Sequence, residues 1–180
     1  MALLPIVKFP DPFLRQPTRE VSRFDDELRR LVADMTETMY ASNGAGLAAI
    51  QVGSALKIFL VEGQVAGRAE TDPPMVFINP VFEWLSDEQE TTDEGCLSFP
   101  GIYVPVARSL RSRVRAFDPH GVEFVAEGEG LYARAMQHEH DHLINKLLID
   151  YVGPLKRQMI KRRLEKMSEE EAAELQAAGE

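Results

Sequence analysis

The chain carries a single cysteine, Cys96, among 180 residues. No internal disulfide can form, and one unpaired thiol suits a reducing compartment. Long apolar runs are missing as well. The opening MALLPIVKFPDPF is too short and too broken by proline for a signal peptide or a membrane span, so a cytoplasmic protein is expected. Positive charge is in deficit: 20 Lys and Arg stand against 29 Asp and Glu, for a formal net charge of -9. That disfavours a general nucleic-acid binder and leaves room only for a local basic patch. Glycine-rich Gly44-Ala45-Gly46 is not followed by Lys-Ser/Thr, which excludes a phosphate-binding P-loop. No repeat or low-complexity segment precedes the C-terminal tail. The remaining composition, 44% hydrophobic and 27% charged, is that of a globular domain long enough for one core.

Against this background Gln137-His138-Glu139-His140-Asp141-His142 stands out. On a helix His138 and His142 are i and i+4, so both imidazoles leave one face a turn apart, the spacing one divalent metal needs. Glu139 follows the first histidine and can lean toward an open metal position to take a proton from bound water. His140 points to the other side and is left out. Leu131, Ala135 and Met136 lead into His138, His142 and Leu143 at helical spacing, which predicts a buried apolar stripe carrying the histidines.

Prolines 5, 10, 12 and 17 keep the first 23 residues extended or looped. Leu28, Leu31, Val32, Met35 and Met39 then predict an amphipathic helix over about 25–42 that ends near Ser42-Asn43-Gly44. In Gly44 to Gln51 the glycines allow close backbone approach, and Gln51 is an amide in an apolar stretch that needs a partner. Strands are predicted at 56–61, 75–78, 81–85, 104–106, 112–117 and 122–126, with a hairpin turn at Asp118-Pro119-His120-Gly121 and an exposed His120. Segment 63–74 reads as a polar loop. Glu94-Gly95-Cys96-Leu97-Ser98 lies between strands. A lone cysteine is ordinarily a small buried hydrophobe, and it can also be a nucleophile paired with histidine. Two histidines at i and i+4 favour a third metal ligand instead, and Cys plus two His leaves one tetrahedral position open for water.

GAGLAAIQ, EGCLS and QHEHDH, in this order and separation, resemble the three signature motifs of bacterial peptide deformylases. The likeness extends over essentially the whole chain. It departs at Asn145 and Leu148, where such enzymes often carry Gly and Phe, and Phe99 to Val104 is a variable stretch. The resemblance implies a hydrolase that removes the formyl group from the N-terminal formylmethionine of new polypeptides, by attack of metal-bound water or hydroxide on the formyl carbon. It implies Cys96, His138 and His142 as metal ligands and Glu139 as general acid/base. Gln51 and the Leu97 N–H become oxyanion donors. Fe(2+) is the implied metal in the cell, with Zn(2+), Ni(2+) or Co(2+) able to occupy the same ligands. Formylated nascent peptides are the implied partners, with no membrane and no general DNA binding.

Further site expectations are Ala45 and Gly46 beside the bound peptide, Leu131 and Ala135 lining a pocket for the methionine side chain, and Glu94 with Arg108 clamping the Cys96 loop. Asp141 is expected to orient a ligand or a neighbouring strand from behind. The expected fold is α+β: mainly antiparallel sheets around a central metal-binding helix at about 129–146, with an N-terminal packing helix and a C-terminal helix. Residues 1–167 form one catalytic domain whose basic helix, about 154–167, gathers Lys156, Arg157, Lys161, Arg162, Arg163 and Lys166. Such a helix is either a solvated face or a dock for ribosomal RNA, and a similar helix is implicated in ribosome contact in the resembled family. Ser168-Glu169-Glu170-Glu171 opens a short acidic Ala/Glu tail, 168–180, with a capping-box start. Two rivals remain. One is a metallopeptidase taking Glu165 as third ligand, with Cys96 only packing. The other is a metal-stabilised module that merely binds ribosomes.

Overall fold

A computed structural model describes residues 2–179. Helix α1, Asp26–Ala41, opens where the Asp25 side chain accepts from the Leu28 amide, one of the four donors a helix start leaves unpaired. Its stripe of Leu28, Val32, Met35 and Met39 is buried. β1 (Gly46–Ala48), β2 (Ile58–Val61) and β3 (Met75–Leu85) follow. β4 (Gln89–Cys96) and β5 (Phe99–Ser109) come next, then β6 (Arg111–Phe117) and β7 (Glu123–Glu129). Helix α2 spans Leu131–Leu143 and α3 spans Pro154–Ala178. One antiparallel sheet has the order β1-β2-β3-β6-β7, and β4 with β5 forms a second, two-stranded sheet. The architecture is α+β, as the sequence predicts.

The core explains how α2 is held. β2 is buried at all four positions, and its period of two divides them between faces. Phe59 and Val61 join Phe77, Val114, Ala135 and Met136 under α2, while Ile58 and Leu60 pack with α1. A third cluster joins β5 residues Val104 and Val106 to Leu147, Leu148, Ile149, Ile160 and Leu164. The metal-motif helix is thus wedged between two sheets.

Several expectations are corrected. The strands expected at 75–78 and 81–85 are one strand with irregular register at Asn79-Pro80. Asn79 takes φ 51 and holds the Val21 backbone with both ends of its amide. β4 was not anticipated, and Glu94 to Cys96 belong to it rather than to a connection between strands. α3 runs through Ser168 without a new start. Asn145 has φ 60, a left-handed conformation that glycine and asparagine adopt most readily, and Leu148 is 3% exposed in the core. Both departures from the resembled family therefore satisfy the local backbone and packing. The turn at Asp118 is as expected: its side chain accepts from the amides of His120 and Val122, and His120 is exposed.

Candidate metal centre

Two elements deliver the site. α2 presents His138 and His142 one turn apart with ring centroids 5.3 Å from each other. β4 presents Cys96 just past a register irregularity between Glu94 and Cys96, where a bulge re-aims the side chain that follows it. Among the described residues Cys96, His138 and His142 place their ligand atoms within 4.8 Å of one another. Cys96 Sγ lies 3.5 Å from His142 Nε2. Two ligands on a tetrahedron with bonds of roughly 2.0–2.3 Å lie about 3.3–3.8 Å apart, so the spacing suits a metal.

The surroundings fit one too. Glu94 Oε1 sits 2.8 Å from His138 Nδ1, which leaves Nε2 as the nitrogen free to ligate. His142 is 2% exposed, and burial pushes its pKa well below the usual histidine range, toward the neutral form a ligand needs. Burial also acts downward on His138, but hydrogen bonds with Cys96 and Glu94 and the Glu139 charge outweigh it and hold the ring protonated above its usual range. Metal loading must then release a proton.

Glu94 anchors this arrangement. Burial by itself would raise its carboxyl, but hydrogen bonds from Arg108 and His138 more than offset that and hold it at about 2. Arg108 donates to both Glu94 oxygens at 2.9 and 2.8 Å and to Asp141 Oδ2 at 2.7 Å. Asp141, expected behind a ligand or a neighbouring strand, contacts Arg108 of β5 and so reaches the ligands at one remove. Two further members escaped the sequence reading. Arg134 donates to Glu94 Oε2 at 2.6 Å. The Tyr151 hydroxyl contacts Arg108 at 2.9 Å and donates a short bond to Asp141. Arg134 was findable, since it precedes His138 by one helical turn. Nothing local marked Tyr151.

Gln51 has its partners. Its Oε1 accepts from the Ala48 amide at 2.9 Å, and its Nε2 donates to Ser98 Oγ at 3.1 Å and lies 3.4 Å from Cys96 Sγ. Ser98, also missed, in turn donates to the Val7 carbonyl. Glu139 is 5% exposed with Oε1 4.0 Å from His138 Nε2. Burial raises its pKa to about 7, with His138 opposing and Glu94 adding.

A cavity of about 470 Å³ opens onto these groups. Ala45, Gly46, Gln51, Cys96, Leu97, Leu131, Ala135, His138 and Glu139 all border it. Leu131, expected both on a buried stripe and at the wall of the methionine pocket, is 62% exposed and borders this opening. His140 sits apart, edge-on to Phe82 at 4.8 Å. Glu165 is exposed on α3 and is not among the groups that converge with the histidines.

A family model described as polypeptide deformylase matches residues 3–158. The peptide deformylase of Saccharophagus degradans is 49% identical over 172 residues, covering 96% of this chain and 98% of its own. That of Brucella suis is 40% identical, covering 96% and 98%. Among solved structures, a peptide deformylase from Legionella pneumophila aligns with TM-score 0.88 at 38% identity, covering 95% of this chain and 98% of its own. The Ehrlichia chaffeensis peptide deformylase in complex with actinonin aligns with TM-score 0.86 at 36% identity, covering 93% and 98%.

Proposed function

The chain belongs to the polypeptide deformylase family, and from that premise we propose how its own residues remove the formyl group from the N-terminal formylmethionine of new polypeptides. The observation that carries the reading is the convergence of one thiol and two imidazoles beside a buried carboxylate at the wall of a cavity.

Cys96, His138 and His142 would hold the metal, ferrous iron in the cell, with zinc, nickel or cobalt accepted by the same sulfur–nitrogen set. A divalent cation there supplies Lewis acidity, polarising the formyl carbonyl and lowering the pKa of water from 15.7 toward about 7. The protein's part is positioning and proton movement. Glu139 accepts the proton of the attacking water as oxygen adds to the formyl carbon. It then delivers that proton to the departing amine as the C–N bond breaks, releasing formate and a free amino terminus. Its raised pKa, about 7, suits a group that must both take and return a proton. The Gln51 amide, fixed by Ala48 and Ser98, and the Leu97 N–H donate to the developing oxyanion. Each such donor is worth about 3 kcal/mol. Ala45 and Gly46 flank the peptide as an added strand would lie, and Leu131 with Ala135 receives the methionine side chain. A formyl carbon carries only hydrogen, so a narrow site admits it and excludes larger acyl groups.

The six basic residues of α3 are all exposed and form a dock for ribosomal RNA, bringing the enzyme to nascent chains in the cytoplasm. Residues 1–167 act as one catalytic domain, and 168–178 continue the same helix as an acidic extension. No helix among the described residues is long and apolar enough to cross a membrane.

The deciding experiment replaces Glu139 with Ala. Metal content should hold at one per chain while turnover of a formylmethionyl peptide falls by roughly 10²–10⁴. Unchanged turnover, or cleavage of internal peptide bonds by the wild type, contradicts the reading.

A further inference from the structure

We propose that Gly46 is a positioning residue for Glu139: the missing Cβ at this point of β1 is the space in which the carboxylate lies. A Cβ built on Gly46 falls 2.7 Å from Glu139 Oε1, 2.9 Å from its Cγ and 3.0 Å from its Cδ. Three successive atoms of one side chain are met, so turning the carboxylate alone does not relieve the clash. The open direction is the cavity that Glu139 borders, so relief of the clash means displacing the carboxylate. Glu139 is 5% exposed, its Oε2 is enclosed without a hydrogen-bond partner, and it stands on a helix wedged between two sheets.

The backbone makes no such demand. Gly46 pairs with Val61 in a regular antiparallel register and is absent from the residues with positive φ, so alanine is conformationally admissible there. The need for glycine is steric, and the group that imposes it comes from α2, some ninety residues later in the chain. Gly46 therefore borders two things at once, the path of the bound peptide and the carboxylate that serves it. Its bare Cα fixes how far Glu139 stands back from the ligand atoms. The first motif of the sequence thereby sets the position of the acid/base in the third.

This inference rests on Glu139 as the proton carrier, and its test separates the two. Gly46→Ala is introduced into the wild type and into Glu139→Ala, and both pairs are followed by thermal midpoint, metal content and peptide turnover. With Glu139 present, Gly46→Ala should lower kcat roughly tenfold to a hundredfold, as expected of an ångström-scale misplacement. It should also lower the thermal midpoint by about 3 °C or more. In the Glu139→Ala background the same substitution should leave the midpoint unchanged, because the obstacle is gone. An equal loss of midpoint in both backgrounds, or wild-type kcat in Gly46→Ala, overturns the inference. Full activity in Glu139→Ala alone overturns the proton role instead, while the pair of midpoints still reports on the steric one.

Discussion

Glu94 and Glu170 are both glutamates within reach of a basic side chain, and the protein uses them in opposite ways. The Glu94 side chain is 5% exposed, with Arg108 at 2.8 Å and Arg134 at 2.6 Å. Glu170 is 63% exposed, with Lys166 at 4.0 Å. Around Glu94, water has been replaced by fixed partners, so each charge depends on the others and loss of one strands the rest. Along α3, water screens every charge and a pair adds little. The first region is a scaffold that holds His138 in one orientation, with Nδ1 toward Glu94. The second is a surface whose charges act at a distance, on whatever approaches.

Glu94→Gln breaks this contrast most severely. It leaves Arg108 and Arg134 buried against a neutral amide, so stability should fall by roughly 3–5 kcal/mol and metal affinity by about 10–100-fold. Chemical denaturation and metal titration read both, and a small effect on either would place Glu94 with Glu170. Acid sharpens the comparison next. Glu94 stays ionised down to about 2 in the folded protein, whereas the unfolded chain takes up its proton near the ordinary glutamate value. Stability of the metal-free protein should therefore fall as pH drops from about 4.5 to 2, by on the order of 3 kcal/mol from this group. Glu139 has the opposite sign, since its folded value is raised to about 7. Its contribution is present at low pH and lost as pH rises from about 4.5 to 7. Titrating stability in wild type, Glu94→Gln and Glu139→Gln separates the two slopes.

Tyr151→Phe is a milder break. It removes one hydroxyl from Arg108 and Asp141 while keeping the ring that Lys146 covers at 4.3 Å, and should cost about 1–2 kcal/mol. At the far end of the scale, Lys166→Ala should leave the thermal midpoint unchanged. Reversing all six basic residues of α3 should abolish salt-sensitive ribosome binding while turnover of a short formylated peptide persists. Undiminished binding after reversal would remove the docking role.

The comparison also shows which parts of the fold were legible in the sequence. α1 and α2 were, because one buried face writes a 3.6-residue period, while the convergence of Cys96 with the two histidines was implied by the pair's need for a third ligand and by the family resemblance. β4 was not: of its residues only Glu94 is buried, and QETTDEGC has no apolar alternation, so its pairing is dictated by β5. The scaffold around Glu94 was half legible. Arg108 and Asp141 were named, but Tyr151 lies ten residues beyond Asp141 in a turn whose position only tertiary packing fixes. Leu131 was placed on a buried stripe as well as at the pocket, because a helical stripe does not reveal where the helix leaves the core. Glu139 was identified by its motif, whereas the room made for it by Gly46 belongs to a contact between distant segments.

The most direct measurement loads the metal-free protein with Co²⁺ and records its ultraviolet–visible spectrum beside Cys96→Ser. One equivalent should bind per chain with a thiolate-to-metal charge-transfer band, and Cys96→Ser should lose that band and most of the affinity. A wild type without the band, or a Cys96→Ser protein that keeps both band and affinity, would contradict the account.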